Sequence, residues 1–221
     1  MANLSVRRFL RKLPRSQAER RHAMVGPAHL WKMKRDFQID FLRGRGLSPQ
    51  HYMLDIGCGT LRGGIPLIDY LEPGHYYGVE SRAEVIDEGK QELQKERLEN
   101  KAPVLIAAED IAMVEIEQDF DYAWAFSVLI HMTDEVLRDC LGLVAGRLNP
   151  DGVFYANVNI GEAPPGNWQG FPVIYRSLTA YEEQCASHSL RVTDIGSLGE
   201  LGHVSGDEAQ DQQRMLEIRP A

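Results

Sequence analysis

The sequence predicts an α/β fold, a mainly parallel sheet doubly wound with helices on both faces. Three observations carry this. Short runs rich in β-branched and aromatic residues alternate with longer amphipathic stretches from residue 51 to residue 189, the pattern of parallel strands joined by crossover helices. The first of those runs enters a cluster of glycines, where a strand must turn sharply into a helix. The last two runs have no helical pattern between them, which predicts an antiparallel pair at one edge of the sheet.

The elements follow in order. Leu30, Trp31, Lys34, Phe37, Ile39, Phe41 and Leu42 recur at helical spacing, and Gly44 and Gly46 end that helix. Residues 51–56 (HYMLDI) read as the first strand. A helix over residues 61–71 contains Pro66, which must bend it or confine it to short turns. Residues 75–80 are the second strand, 83–98 a charged amphipathic helix, and 103–107 the third strand, with a weak helical turn after Asp110. Residues 120–126 (FDYAWAF) are the fourth strand. Thr133-Asp134-Glu135 opens a helix over 133–148, and Asn149-Pro150-Asp151-Gly152 is a turn before a fifth strand at 153–160. Residues 161–176 are too long and too aromatic for a plain connector. A helix over 178–189 precedes the two final strands, 191–195 and 214–219, making seven in all.

At 221 residues the chain is the size of one large domain, since chains usually divide beyond ~250–300 residues. Its 43% hydrophobic and 25% charged residues exclude wholesale disorder. No apolar run approaches the ~20 residues of a transmembrane helix. Cys58, Cys140 and Cys185 are widely spaced, with no CxxC pair and no histidine at metal spacing. A disulfide framework is thereby excluded, no metal site is expected, and the thiols fit a reducing, cytoplasmic compartment.

Charge is distributed unevenly. Residues 1–35 carry ten Lys/Arg against the single acid Glu19, in a chain of net charge −8. The acidic remainder does not suit capture of phosphates, so contact with nucleic acid or a membrane surface falls to this arm alone. The arm lacks the apolar stretch of a secretory signal; an organelle presequence, a membrane-surface helix and a solvated arm all fit its composition. We place the arm at residues 1–26 and the folded domain at 27–221.

The chemistry concentrates in Leu54-Asp55-Ile56-Gly57-Cys58-Gly59-Thr60-Leu61-Arg62-Gly63-Gly64, at the carboxyl end of the first strand, where open α/β sheets bind ligands. Gly57 and Gly59 permit a sharp turn and close approach of backbone to a nucleoside-bearing ligand. The spacing G-x-G-x-x-x-G is one residue longer than the dinucleotide fingerprint, and no Tyr-x-x-x-Lys pair is present for hydride chemistry. Glu80, at the end of the second strand, is placed to accept from both hydroxyls of a ribose. Asp110, after the third strand, is placed to accept from an adenine amino group. Each acid alone is more simply explained as a helix N-cap; their order at successive strand ends with Asp55 and the glycine loop is what chance explains poorly.

On LDIGCGT, YYGVE, AEDI, FDYAWAFSVLIHM and LNPDGVFYANV, residues 51–160 resemble the class I S-adenosylmethionine-dependent methyltransferases. The resemblance implies a Rossmann-like, seven-stranded mixed sheet with a terminal antiparallel strand pair, and S-adenosylmethionine as cofactor. It implies that Asp55, Gly57 and Gly59 line the methionine part of the cofactor, Glu80 holds the ribose, Asp110 and Ile111 hold the adenine, and Phe126 and Ser127 face the methyl-donor side. The Asn/Asp-Pro-Pro-aromatic sequence of amino-methylating DNA enzymes is absent, since Phe126-Ser127-Val128-Leu129 stands in its place. The cysteines read as packing residues, not nucleophiles.

Acceptor contacts lie outside those motifs. His131, following the fourth strand, is a candidate general base, or alternatively a wall residue. Arg62 is a candidate for a carboxylate or phosphate, or an exposed side chain. Asn157 and Asn159 alternate along the fifth strand toward the cleft, while Trp168, Phe171 and Tyr175 are candidate pocket aromatics on a lid, or alternatively side chains of a simple packed loop. Trp31 and Arg35 either close over the cofactor or serve core and surface. The reading is methyl transfer to a small metabolite or sugar hydroxyl. Methylation of a macromolecule recruited by the arm, and a non-catalytic cofactor-binding module, are the alternatives.

Overall fold

The computed structural model describes residues 21–164 and 166–221. Its main sheet has seven strands: β1 (Met53–Ile56), β2 (Tyr76–Glu80), β3 (Val104–Ala107), β4 (Phe120–Ala125), β5 (Leu148–Val158), β8 (Leu190–Ser197) and β9 (Arg214–Pro220). A hairpin of β6 (Gly166–Trp168) and β7 (Phe171–Val173) stands apart from it. The helices are α1 (Trp31–Gly44), α2 (Gly64–Tyr70), α3 (Ala83–Lys95), α4 (Asp134–Arg147), α5 (Leu178–Ala186) and the single turn α6 (Glu208–Asp211).

The strand order is β3-β2-β1-β4-β5-β9-β8. Strands β1 to β5 pair in parallel, and β9 inserts antiparallel between β5 and β8. The expected mixed sheet and terminal antiparallel pair are both present. Because β2 and β3 lie on one side of β1 while β4 and β5 lie on the other, the chain reverses direction between β1 and β4. A crevice opens there at the carboxyl ends of the strands.

Period-two alternation builds a core on each face of the sheet. Leu54, Ile56, Ala123, Ala125, Phe154 and Ala156 pack on one side, with Leu137, Leu141 and Val144 of α4. Met53, Tyr122, Trp124 and Tyr155 pack on the other, with Phe37, Phe41 and Leu42 of α1. The four residues of β1 are all buried, as a parallel strand covered on both faces must be.

Several local departures from the sequence reading have physical causes. The helix expected from residue 61 begins at Gly64; Leu61 adopts a positive φ of 59°, so residues 60–63 form turns instead. Pro66 then falls in the first helical turn, where its missing N–H costs no hydrogen bond. The Asn149–Gly152 turn is absorbed into β5. There the register jumps from Phe120 opposite Leu148 to Tyr122 opposite Val153, and the extra residues form a bulge held by Asn149 Nδ2 donating to Asp121 Oδ1 at 2.8 Å. The aromatic segment 161–176 contains the β6–β7 hairpin. Its two central residues, Gln169 and Gly170, have φ of +50° and +92°, the left-handed pair a two-residue hairpin turn requires.

Residues 21–26, expected within the arm, pack against the body. Arg21 is 5% exposed and forms ion pairs with Glu88, at 3.0 Å, and Glu92 on α3. The His22 ring stacks on Trp31 with centroids 3.8 Å apart, and Val25 O accepts from Arg62 Nη1 at 2.8 Å. Residues 1–20, with most of the arm's charge, lie outside the described residues. Among the described residues no helix is long and apolar enough to cross a membrane.

Candidate methyl-donor and acceptor cleft

The crevice is a cleft of about 580 Å³, within the size of small-molecule sites. Its floor is the β1–α2 loop. Gly57 N donates to Val79 O at 2.7 Å, which ties the loop to the end of β2. Gly57 has φ +69°, and a Cβ there would lie 2.4 Å from Val128 Cγ2. At Gly59, φ is +58° and a Cβ would meet Val25 Cγ1 at 2.8 Å. The loop thus fits between the β4 loop and the chain at residue 25 only because both positions lack side chains.

Asp55 is buried and accepts from Tyr76 Oη at 2.5 Å. Burial pushes its carboxyl up to about 7, against the Tyr76 hydrogen bond and the Arg62 charge. Glu80 ends β2 on the cleft wall; its Oε1 accepts from Arg82 N and Arg82 Nε, each at 3.2 Å. Glu80 Oε2 has no hydrogen bond among the described residues, so one carboxylate oxygen is held and the other is available. Phe126, Ser127, Ile111 and Arg62 also line the cleft. Cys58 does too, but burial first and the Asp55 charge second hold its thiol well above the ordinary range. It is not a nucleophile.

Asp110 stands elsewhere. It is exposed and caps the turn Ile111–Met113 by accepting from Ala112 N at 3.0 Å, while Ala108, Glu109 and Ile111 form the wall. Asn157 and Asn159 are also outside the lining, because their amides are spent on the scaffold. Asn157 accepts from Ser127 N at 2.6 Å and donates to Gln213 Oε1 at 2.7 Å. Asn159 accepts from Gln213 Nε2 at 3.0 Å and donates to Ile174 O at 3.2 Å. This chain of amides clamps the ends of β4 and β5 to the start of β9. Tyr175 is 37% exposed and is not part of the cleft lining.

The hairpin and residues 25–27 line the cleft from two further sides, and Gln169 Nε2 at the hairpin turn donates to Ala23 O, just before that stretch, at 3.0 Å. Trp168 and Phe171 both line it, and Arg82 lies over the Phe171 ring at 5.2 Å. His131 stacks against Trp168 with centroids 5.5 Å apart. Its Nδ1 is 2.7 Å from Pro172 O. A carbonyl only accepts, so Nδ1 carries the hydrogen and the neutral ring keeps its lone pair on Nε2. Burial, with the Arg82 charge behind it, holds the imidazolium below its ordinary range, and the Pro172 carbonyl opposes this.

Sequence reasoning missed Lys34, Gln38, Arg82, Gln210 and Gln213, all of which line the cleft. For Lys34 a signal existed. Residues 31, 34, 38 and 41 share one face of α1, and a lysine in that apolar stripe has to be buried. The chosen helix residues fall elsewhere: Trp31 packs on His22, and Arg35 pairs with Asp36 at 3.6 Å.

Comparison with known proteins agrees with this geometry. Residues 54–154 match the methyltransferase domain family. That match spans the glycine loop and the first five strands of the main sheet. The fold is that of S-adenosylmethionine-dependent methyltransferases of known structure. The CcbJ methyltransferase of Streptomyces caelestis superposes with a TM-score of 0.65 at 15% identity, over 85% of this chain and 90% of that one. Magnesium protoporphyrin IX methyltransferase of Synechocystis, solved with bound S-adenosylmethionine, gives 0.65 at 15% identity over 99% and 92%. DesVI of Streptomyces venezuelae gives 0.62 at 14% identity over 87% and 95%. Comparison with curated protein sequences finds no match.

Proposed function

We propose that this methyltransferase methylates a proton-bearing nucleophile, a hydroxyl in the simplest case, on a small metabolite or sugar, with His131 as the proton acceptor. The observation that carries the reading is the tautomer of His131. Its Nδ1 is committed to Pro172 O, so the lone pair on Nε2 belongs to a neutral ring on the wall of the cleft. The volume of about 580 Å³ and the aromatic hairpin suit a small acceptor better than a polymer. The cytoplasmic location read from the cysteines is kept as part of this proposal.

The residues present fit the cofactor: the loop has no room for a Cβ at Gly57 or Gly59, and Glu80 keeps one oxygen unbonded. Asp55, Gly57 and Gly59 would hold its methionine part, Glu80 the ribose hydroxyls, and Ile111 the adenine plane. Asp110 would act through the turn it caps, and Phe126 and Ser127 would flank the donor side. When bound, S-adenosylmethionine supplies a methyl group already activated on a sulfonium. The protein's task is then alignment and proton removal. Trp168 and Phe171 hold the acceptor against the wall, Arg62 supplies charge at the loop, and His131 Nε2 takes the proton.

The reading is tested by incubating the protein with isotopically labelled donor and a panel of hydroxylated small molecules, following methyl incorporation by mass spectrometry. Turnover that survives removal of residues 1–20 supports a small acceptor. Turnover only on a macromolecule, and lost with those residues, would favour recruitment by the arm. Tight donor binding without turnover on any acceptor would favour a non-catalytic module.

A further inference from the structure

His131 stands in an apolar stretch of the cleft wall. Among the lining residues between 128 and 173 it is the only one with a titratable side chain, and none has a side-chain oxygen. The rest of that stretch is aliphatic or aromatic, Met132, Val136, Val173, Trp168 and Phe171 among it. Trp168 and Phe171 are directly opposite in the β6–β7 pair, so both side chains leave the same face of the hairpin. The Trp168 plane lies within 22° of the His131 ring and 26° of the Phe171 ring, with centroids 5.5 and 6.5 Å away. The three rings make one platform. It is fixed to the end of β4 by His131 Nδ1 donating to Pro172 O and by Ile174 N donating to Ile130 O at 2.8 Å.

This wall discriminates between hydroxylated acceptors. A pyranose brings several hydroxyls, and each one buried without a partner costs free energy. The stretch offers a single side-chain acceptor, His131 Nε2. An aromatic ring with one hydroxyl needs that partner alone, and its faces are matched by the platform. Acidity points the same way. Burial keeps His131 a weak base. A phenolic hydroxyl, at about 10 as in tyrosine, lies much closer to such a base than an aliphatic hydroxyl, which is near the ~15.7 of water. The Arg82 charge, which is felt at His131, favours the negative charge that develops on the acceptor oxygen.

Resting on the reading of His131 as proton acceptor, we propose that the methyl acceptor is a planar aromatic ring bearing a phenolic hydroxyl, stacked on Trp168 and Phe171 with that hydroxyl at His131 Nε2. The phenolic oxygen forms its bond to the donor methyl carbon as the carbon–sulfur bond breaks. That electron pair stays on sulfur, leaving a neutral thioether, and the proton passes to Nε2 and on to water.

The probes are 2-naphthol, a phenol with a flat face, and glucose, a ring of many hydroxyls. Each is titrated by NMR into wild type, Trp168→Ala and Trp168→Phe, all saturated with S-adenosylhomocysteine. Methyl transfer from labelled S-adenosylmethionine to each probe is followed by mass spectrometry. We expect 2-naphthol to bind wild type saturably and to gain one methyl group, while glucose does neither. Trp168→Ala should weaken 2-naphthol roughly tenfold or more, the loss of one stacking partner, and Trp168→Phe should recover most of it. Equal affinity of all three proteins for S-adenosylhomocysteine shows the variants folded. The proposal is overturned if 2-naphthol fails to bind wild type, binds Trp168→Ala as tightly, or binds and is never methylated. Transfer to glucose at a rate equal to or above that to 2-naphthol overturns it too, and leaves the hydroxyl reading standing. Equal turnover of 2-naphthol by His131→Gln would overturn the reading of His131 instead, and with it the placement of the hydroxyl. Wild type that does not bind S-adenosylhomocysteine would overturn the reading of the cleft, and this acceptor with it.

Discussion

His131 and Lys34 are both titratable groups held in the cleft by burial, and each makes a prediction whose sign is fixed. For His131 the neutral ring is the active form and its imidazolium is held below the ordinary value of 6.5. Wild-type kcat/KM should therefore rise with pH through an ionisation below 6.5 and stay level above it. His131→Gln keeps the ring's approximate size without its basicity. Turnover should fall by about 10²–10⁴-fold and the ionisation should vanish from the profile. Near-normal turnover with the same profile would make His131 a wall residue. Lys34 acts on stability. Its folded-state value of about 7 lies below the unfolded 10.5, so between those values the unfolded chain binds the proton and the folded chain does not. Stability from this group therefore rises with pH across that window, and the penalty is complete below it. Ligand-free Lys34→Met should be more stable than wild type at pH 6, with the advantage shrinking toward pH 10. Thermal melts at both pH values check this, and a variant less stable at pH 6 would contradict it.

At the scale of elements, the carboxyl ends of β4 and β5 are set by amides, not by apolar packing alone. Ser127 has a positive φ of 61°, and its N–H is held by the fully buried Asn157. Asn157→Leu keeps the volume but leaves Ser127 N and Gln213 Oε1 unpaired, each worth about 1–3 kcal/mol when buried. We expect the denaturation midpoint to fall by an amount of that order, and donor binding to weaken because Ser127 lines the cleft. A midpoint equal to wild type would show that water replaces the amide. This same network marks a limit of sequence reading. Alternating asparagines on a strand look the same whether they face a ligand or a neighbouring amide; the partner, Gln213, is more than fifty residues away and emerges only in the fold. The hairpin at 166–173 was hidden for another reason, since three-residue strands carry too few residues to show a period. The strands and helices that build the main sheet were legible because burial on both faces forces continuous apolar runs, and because LDIGCGT must occupy the first crossover. Glu80 was legible from its place at a strand end. Asp110 shared that place, yet its side chain turned to cap the following residues.

At the scale of the molecule, the domain closes on itself through its amino-terminal residues. Arg21, His22 and Val25 connect α3, α1 and the β1–α2 loop, and Ala23 meets the hairpin turn. Removal of residues 1–20 should leave the melting temperature unchanged. Removal of residues 1–26 should lower it, by about 2–4 °C for each kcal/mol lost, and weaken donor binding as the cover over Gly59 disappears. Equal melting temperatures for the two truncations would show that residues 21–26 are only laid on the surface. Net charge has the same division, a basic arm joined to an acidic body, so association with an anionic partner would fall to the arm. That association should weaken steeply as salt rises.

The central claim is that this cleft holds the nucleoside of S-adenosylmethionine through Glu80, and calorimetry with S-adenosylhomocysteine tests it most directly. Glu80 is 6% exposed and sits at the end of β2 with Oε2 uncommitted. Glu80→Ala removes up to two charge-assisted hydrogen bonds to the ribose, each worth roughly 1.5–3 kcal/mol. Wild type should bind, and a folded Glu80→Ala should bind at least about tenfold more weakly, at roughly 1.4 kcal/mol per factor of ten. Equal affinity in wild type and a folded Glu80→Ala would contradict the account.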